Sequence, residues 1–266
     1  MSPFHPRRFD AQLAPYLHHT PFCDADDPDV RELARELVVP GEATATAVRM
    51  FEWVRDTVWY FFGPWGTTAS HTLAIRKGTC TNKSNLLVAL WRAVGIPGAY
   101  GILSVDAQRY WGPIAPWFLA RHANRSSVHI HAAAHLDGRW VRADPSSDRQ
   151  LADRTQHFCA QCRLVEWDGT VDRIDIIDPE HIHAFHGLHA NIDEWLAKPA
   201  RHATSAALEH ANRYLSFVRR HPPFPDAQSL HAAYEHTLDY HTSVEYFRQY
   251  MLERSIDPDE DLARNR

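Results

Sequence analysis

A chain of 266 residues can bury a full core, either as one domain with an appendage or as two small domains. Hydrophobic residues at 44% and charged residues at 23% are ordinary for a globular protein. The formal net charge of −5, with no dense basic run, argues against nucleic acid as a partner. No apolar stretch is long enough to cross a bilayer and no charged-then-apolar leader opens the chain, so no membrane partner is expected and the cytoplasm is the expected location. Four cysteines (Cys23, Cys80, Cys159 and Cys162) do not make a disulfide framework, and a reducing compartment suits a free thiol.

Residues 1 to 26 are polar, punctuated by His and Pro, and are expected to be irregular. Asp27-Pro28-Asp29 reads as an N-cap followed by Pro at the first helical position. Val30, Leu33, Ala34 and Leu37 then share one face until Pro40-Gly41 ends the helix. A second helix is expected from about Ala43 to Gly63-Pro64, with Ala47, Phe51, Val54 and Val58 on its apolar side. The aromatic-rich stretch from Tyr60 to Gly78 reads chiefly as core.

The first chemical signal is Arg76 to Gly101. Cys80 follows Gly78-Thr79 and opens an apolar run, Leu86, Leu87, Leu90 and Val94, that Gly95 and Pro97 stop. A thiol in the first turn of a helix sits at the positive end of the backbone dipole, which favours the nucleophilic thiolate. The plainer alternative is a small buried residue, as most lone cysteines are. Ala99 to Val105 reads as a strand. Residues 107 to 125 form a Trp- and Pro-containing connection too long for a hairpin, either a substrate lid or a short packed helix. His122 within it reads as a surface residue.

Ser127 to Ser147 alternates in character and turns at Asp137-Gly138, a strong hairpin signal. That turn pairs Leu136 with Arg139, His135 with Trp140 and His131 with Asp144. His129, His131 and His135 then share a face with Trp140, Arg142 and Asp144. Asp144 lies opposite His131 and diagonal to His129, so either imidazole can reach it. A cysteine, a histidine and a carboxylate supply a nucleophile, a base and a group that orients the base.

These stretches resemble the transglutaminase-like superfamily of papain-like cysteine enzymes. There a Gly-x-Cys opens a helix running into Arg-Ala-x-Gly-Ile-Pro, matched by Gly78-Thr79-Cys80 and by Arg92 to Pro97. A strand that begins with the catalytic His leads to a Gly-x-Trp turn and an Asp-Pro-Ser/Thr, matched by His129, Gly138-Arg139-Trp140 and Asp144-Pro145-Ser146. The resemblance covers roughly the first two-thirds of the chain. It implies an α+β papain-like fold, with the cysteine at the N-terminus of a helix packed on an antiparallel sheet, and a catalytic Cys80–His129–Asp144 triad. It also makes Trp65 a candidate oxyanion donor, with core packing as the stronger expectation. Two positions depart from the family strand, which usually carries an aromatic and often an acid where His131 and Ala133 stand. The implied chemistry is therefore better defined than the implied substrate.

Further on, His157, Cys159 and Cys162 stand at near-metal spacing, and His181, His183, His186 and His189 cluster nearby. A structural zinc site needs four ligands, and a chain with 19 histidines clusters them readily, so no metal is expected. Asp168-Gly169 reads as the turn of a last strand pair. From about Ile192 the pattern is helical: Leu208, Ala211, Leu215 and Val218 share a face, Pro222 to Pro225 break the chain, and one longer helix is expected from Ala227 to about Arg254. A charged tail follows from Asp257.

The chain is thus expected to comprise a catalytic core over 1–190 and a C-terminal helical extension over 191–266. The expected function is acyl transfer or hydrolysis at an amide or ester carbonyl through a thioester on Cys80. Its partners would be peptide, amide or amine substrates, with no cofactor. The alternative is a non-catalytic binding or scaffold protein of the same fold, possibly holding metal on its His/Cys clusters.

Overall fold

The computed structural model describes residues 11–111, 114–122, 126–159, 162–174, 178–197 and 205–253. The first ten residues and the charged tail expected from Asp257 lie outside them. The first helix, α1 (Pro28–Glu36), begins where Asp27 accepts from the backbone N–H groups of Asp29 and Val30, and it buries Val30 and Ala34. Helix α2 (Ala43–Thr57) buries Ala47, Met50, Phe51 and Val54. It stops at Thr57 because Val58 turns to extended backbone and feeds β1 (Trp59–Tyr60). Helix α3 (Ala69–Ile75) crosses back, and Arg76 ends it in the left-handed region at φ 51°. The chain then enters β2 (Lys77–Gly78), which pairs in parallel with β1.

Helix α4 (Cys80–Ala93) is the centre of the molecule, and every residue from Cys80 to Arg92 is buried. A helix buried all round must satisfy its polar side chains internally. Ser84 donates to the Ile130 carbonyl, Asn85 to the Phe22 carbonyl and Arg92 to those of His18, Gly98 and Ala190. Each fully buried leucine of α4 contributes about 1.5–3 kcal/mol.

The sheet packs on α4 and is antiparallel throughout, in the order β5 (Arg139–Ala143), β4 (Ser127–Leu136), β3 (Gly98–Val105), β6 (Ile182–His189). Asp137 and Gly138 both take positive φ, 48° and 83°, which fits a two-residue hairpin to the twist of its strands. The pairs Leu136–Arg139, His135–Trp140 and Ala132–Ala143 follow from that turn. Ile130, Ala132, Ala134 and Leu136 enter the core shared with α4. The strand alternates, so His129, His131, Ala133 and His135 face the other way.

A second apolar cluster joins α6 (Trp117–His122), through Phe118, to α9 (Ser205–Arg220), α10 (Ala227–Glu235) and α11 (Leu238–Leu252). The connection after β3 is therefore helical, α5 (Ala107–Trp111) and then α6, and Phe118 is wholly buried beneath the C-terminal helices. Of its two readings, the packed helix is the one adopted. Two other expectations are corrected. The single helix from Ala227 is two, because the Thr237 hydroxyl caps a new start by accepting from the Tyr240 N–H. Asp168-Gly169 does turn, but Asp168 closes it locally on Thr170 and Val171, and among the described residues only Arg173 bridges to the sheet, at Ala143. The fourth strand is instead β6, from the His-rich segment. Two short helices, α7 (Arg149–Thr155) and α8 (Asp193–Leu196), and two 3₁₀ turns, Ala14–Leu17 in the segment expected to be irregular and Pro179–His181 before β6, complete the described elements. No described helix is long and apolar enough to cross a membrane.

Candidate active site

The site forms where α4 begins. Gly78 is required two residues before Cys80, since a Cβ there would meet the Asn82 Cβ at 2.6 Å. That approach lets Asn82 Oδ1 accept from both the backbone N–H (2.9 Å) and the hydroxyl (2.8 Å) of Thr79, the reach-back half of a helix-capping box. Asn82 Nδ2 donates to the carbonyls of Pro64 (3.2 Å) and Trp65 (3.1 Å), so the aromatic loop is tied to the same first turn. The Trp65 side chain packs against the main core.

Strand β5 leaves the ladder after Ala143, where Ala143 pairs with Ala132, and this frees the edge of β4 around Ile130. Cys80 sits beside that edge, where the His129 imidazole and the Ile130 N–H both act on its sulfur, and its Sγ lies 3.8 Å from the Thr81 hydroxyl. His129 Nε2 meets Asp144 Oδ2 at 2.6 Å, so Nδ1 is the ring nitrogen left for the thiol. The other Asp144 oxygen accepts from the Ser146 N–H at 3.0 Å and from the Ser146 hydroxyl. Asp-Pro-Ser is thus a self-contained device for aiming one carboxylate: Ser146 holds Oδ1, and Oδ2 is presented to the ring. The Asp144 backbone N–H points away from β4 and donates to the Arg173 carbonyl at 3.0 Å.

The electrostatics follow from this packing. Burial alone pushes the Cys80 thiol up, but the facing His129, its hydrogen bond and the Ile130 N–H outweigh it and leave the thiol below its usual range. Burial disfavours the His129 imidazolium, yet Asp144 first and Cys80 second lift it to about 10. The Asp144 carboxyl would rise on burial, and His129 and Ser146 hold it down instead. All three shifts favour a thiolate, an imidazolium and a carboxylate in one nearly closed space, where Cys80 retains 8% and His129 7% of its surface.

His131, opposite Asp144 by register, is not part of this chain of bonds. Its ring lies over Gly101 of β3, where a Cβ would come within 2.1 Å of His131 Nε2, and it stacks on Phe185 of β6 at 6.2 Å. Both its nitrogens are buried with no hydrogen-bond partner among the described residues. Burial brings its pKa down to about 3, so the ring is neutral. His135 packs edge-on to Trp140.

Three charged residues behind the site escape pattern reading. Lys83 is fully buried one turn after Cys80. Asp148 caps α7 through the Leu151 N–H and accepts from the Tyr60 N–H at 2.7 Å. Arg219 of α9 donates to that carboxylate at 2.7 Å and to the Tyr60 carbonyl at 2.5 Å. Asn212, also of α9, pairs with both backbone groups of Phe62 at 2.8 Å. Among the described residues, no group of three or more His, Cys, Asp or Glu side chains could hold a metal ion. His157 bonds the Phe224 carbonyl, while Cys159 and Cys162 form no disulfide and the Cys162 N–H donates to the Cys159 carbonyl at 3.0 Å.

The sequence pattern of the transglutaminase-like superfamily matches residues 31–145, a span that holds Cys80, His129 and Asp144. No curated protein matches the chain. A solved structure from Cytophaga hutchinsonii, described as a candidate cysteine protease, is similar with 18% identity and a TM-score of 0.42, over 84% of this chain and 62% of that one. This chain therefore spans less than two-thirds of that protein's length.

Proposed function

Because residues 31–145 of this chain belong to the transglutaminase-like superfamily, we propose that it is a cysteine-nucleophile enzyme. In this reading it transfers an acyl group from an amide or ester to an amine or to water, through a thioester on Cys80. The observation that carries the reading is the run of contacts from the Cys80 sulfur to the His129 ring and on to Asp144, 2.6 Å away. The Cys80 thiolate attacks the carbonyl carbon, forming a C–S bond. The oxyanion meets the Cys80 backbone N–H, one of the first-turn donors that a helix leaves unpaired. His129 gives its Nδ1 proton to the departing amine as the C–N bond breaks, and Asp144 keeps the ring oriented. An amine or water then attacks the thioester, its proton passes to His129, and the thiolate returns. Residues 1–190 would form the catalytic core and 191–266 a helical extension. A reducing, cytoplasmic setting suits the free thiol.

Incubation with p-nitrophenyl acetate, followed by peptide mass spectrometry, tests the reading. The expected product is an acetyl group on Cys80, discharged faster when a primary amine is added. Acetylation of Cys159 or Cys162 ahead of Cys80 would sink it. Asp144→Asn should keep the near-ultraviolet circular dichroism of the wild type. Its Cys80 acylation should fall by on the order of 10²–10⁴-fold, as expected when the base loses its orienting carboxylate.

A further inference from the structure

Lys83 presents a puzzle of position. It stands one turn beyond Cys80 in α4, has no exposed surface, and lies in a core where a methionine or leucine would fill the space at less desolvation cost. Its Nζ donates to three main-chain carbonyls: Val58 at 2.5 Å, Ser147 at 3.0 Å and Arg55 at 3.3 Å. Three acceptors around one nitrogen call for three N–H bonds, so the ammonium is the form that fits. Burial opposes that charge and draws the pKa down to about 7, while Asp148 supports it.

The three carbonyls join separate parts of the site. Arg55 and Val58 belong to the C-terminal end of α2, where a cation also meets the negative end of the helix dipole. Ser147 lies three residues past Asp144, immediately after the Ser146 that holds Asp144 Oδ1. One side chain therefore pins the Asp144 loop and the end of α2 to the turn of helix that carries Cys80.

We propose that Lys83 is a positioning residue for the Cys80–His129–Asp144 site, setting the distance between thiolate and imidazolium by holding the Ser147 carbonyl against α4. It touches no reacting atom. Its effect passes along four consecutive residues, Ser147 to Asp144, and from there to His129. The inference rests on the functional reading above, and the experiment keeps the two apart.

The measurement is the rate of Cys80 alkylation by iodoacetamide against pH, in the full chain, for the wild type, Lys83→Met and Lys83→Gln. In the wild type the rate should level off well below pH 8.5, the usual thiol value. In Lys83→Met the plateau should move toward that value and the rate at pH 7 should fall about tenfold or more. Lys83→Gln keeps two N–H donors and loses the charge, so its profile should fall between the two. Near-ultraviolet circular dichroism checks the fold, and the glutamine variant carries the test alone if the methionine variant does not fold. A lower melting temperature with an unshifted pH profile is what a merely structural lysine would give, and it would overturn the proposal. A wild-type Cys80 that titrates like an ordinary thiol would overturn the functional reading itself.

Discussion

Two histidines two residues apart on one strand meet different fates, and small neighbours decide which. His129 lies beside the stretch where β5 has left the ladder, so its ring reaches both the sulfur and the Asp144 carboxylate. His131 lies where β3 offers Gly101, and its ring fills the space that a side chain there would need. The pair of ionised groups at the site fixes a pH signature. The thiolate forms as pH rises through the depressed Cys80 value, and the imidazolium is lost as pH rises through about 10. An amide substrate needs both, the thiolate to attack and the imidazolium to protonate the leaving amine. Turnover of a p-nitroanilide should therefore climb on the acid side and fall near pH 10. Alkylation by iodoacetamide needs only the thiolate and should stay on its plateau there. Parallel alkaline declines for the two reagents would contradict the assignment of His129 as the acid.

Helix α4 shows how one element is shaped by both its environment and its start. Its leucines set the helical period, but its polar residues, Asn82, Lys83, Ser84 and Asn85, are as buried as its leucines. Each is bonded to a carbonyl or hydroxyl of another segment, so the helix is positioned by directional contacts as well as by packing. The most constrained point is Gly78. In Gly78→Ala the new methyl would displace the Asn82 side chain, whose Cβ lies 2.6 Å away, and with it both bonds to Thr79. Overpacking of this kind costs about 1–3 kcal/mol. Urea unfolding should show a loss in that range, together with slower Cys80 acylation, because the displaced residue belongs to the first turn of α4. Unchanged stability and acylation would mean that the first turn relaxes freely.

At the scale of the molecule, the C-terminal helices are bound to the site through buried charge. The side chains of Arg219 and Asp148 are 6% and 1% exposed, and they meet at 2.7 Å beside the Tyr60 backbone. Removing one member of a buried pair leaves the other uncompensated, and Asp148 would keep only its two backbone N–H donors. Arg219→Met should cost about 3 kcal/mol, the low end for a broken buried pair. Adding Asp148→Asn should recover part of that loss. A double-mutant cycle read by chemical denaturation checks both values. Additive single costs would show that the two side chains do not act as a unit.

The sequence by itself determined what depends on neighbours along the chain. The helix start at Cys80 and the Asp137-Gly138 turn are local events, and the turn carries the strand register because side chains alternate with period two. The leading helices were legible for the same reason. Features that depend on distant partners were not. Asp168-Gly169 has the chemistry of a hairpin turn, yet a turn residue cannot say whether a partner strand waits on either side. The strand that does close the sheet, β6, carries exposed His183 and Phe185 and shifts register twice against β3, so its alternation is blurred. The break at Thr237 was hidden by an apolar stripe that continues across it. Lys83 bonds carbonyls 25, 28 and 64 residues away, and no spacing rule spans such separations. The residues alone leave His129 and His131 both open, because both stand on one face of β4; the family resemblance singles out His129, and the tertiary structure brings that ring to Asp144. Where β5 ends, and where β3 places Gly101 beneath the His131 ring, decides which imidazole meets the carboxylate.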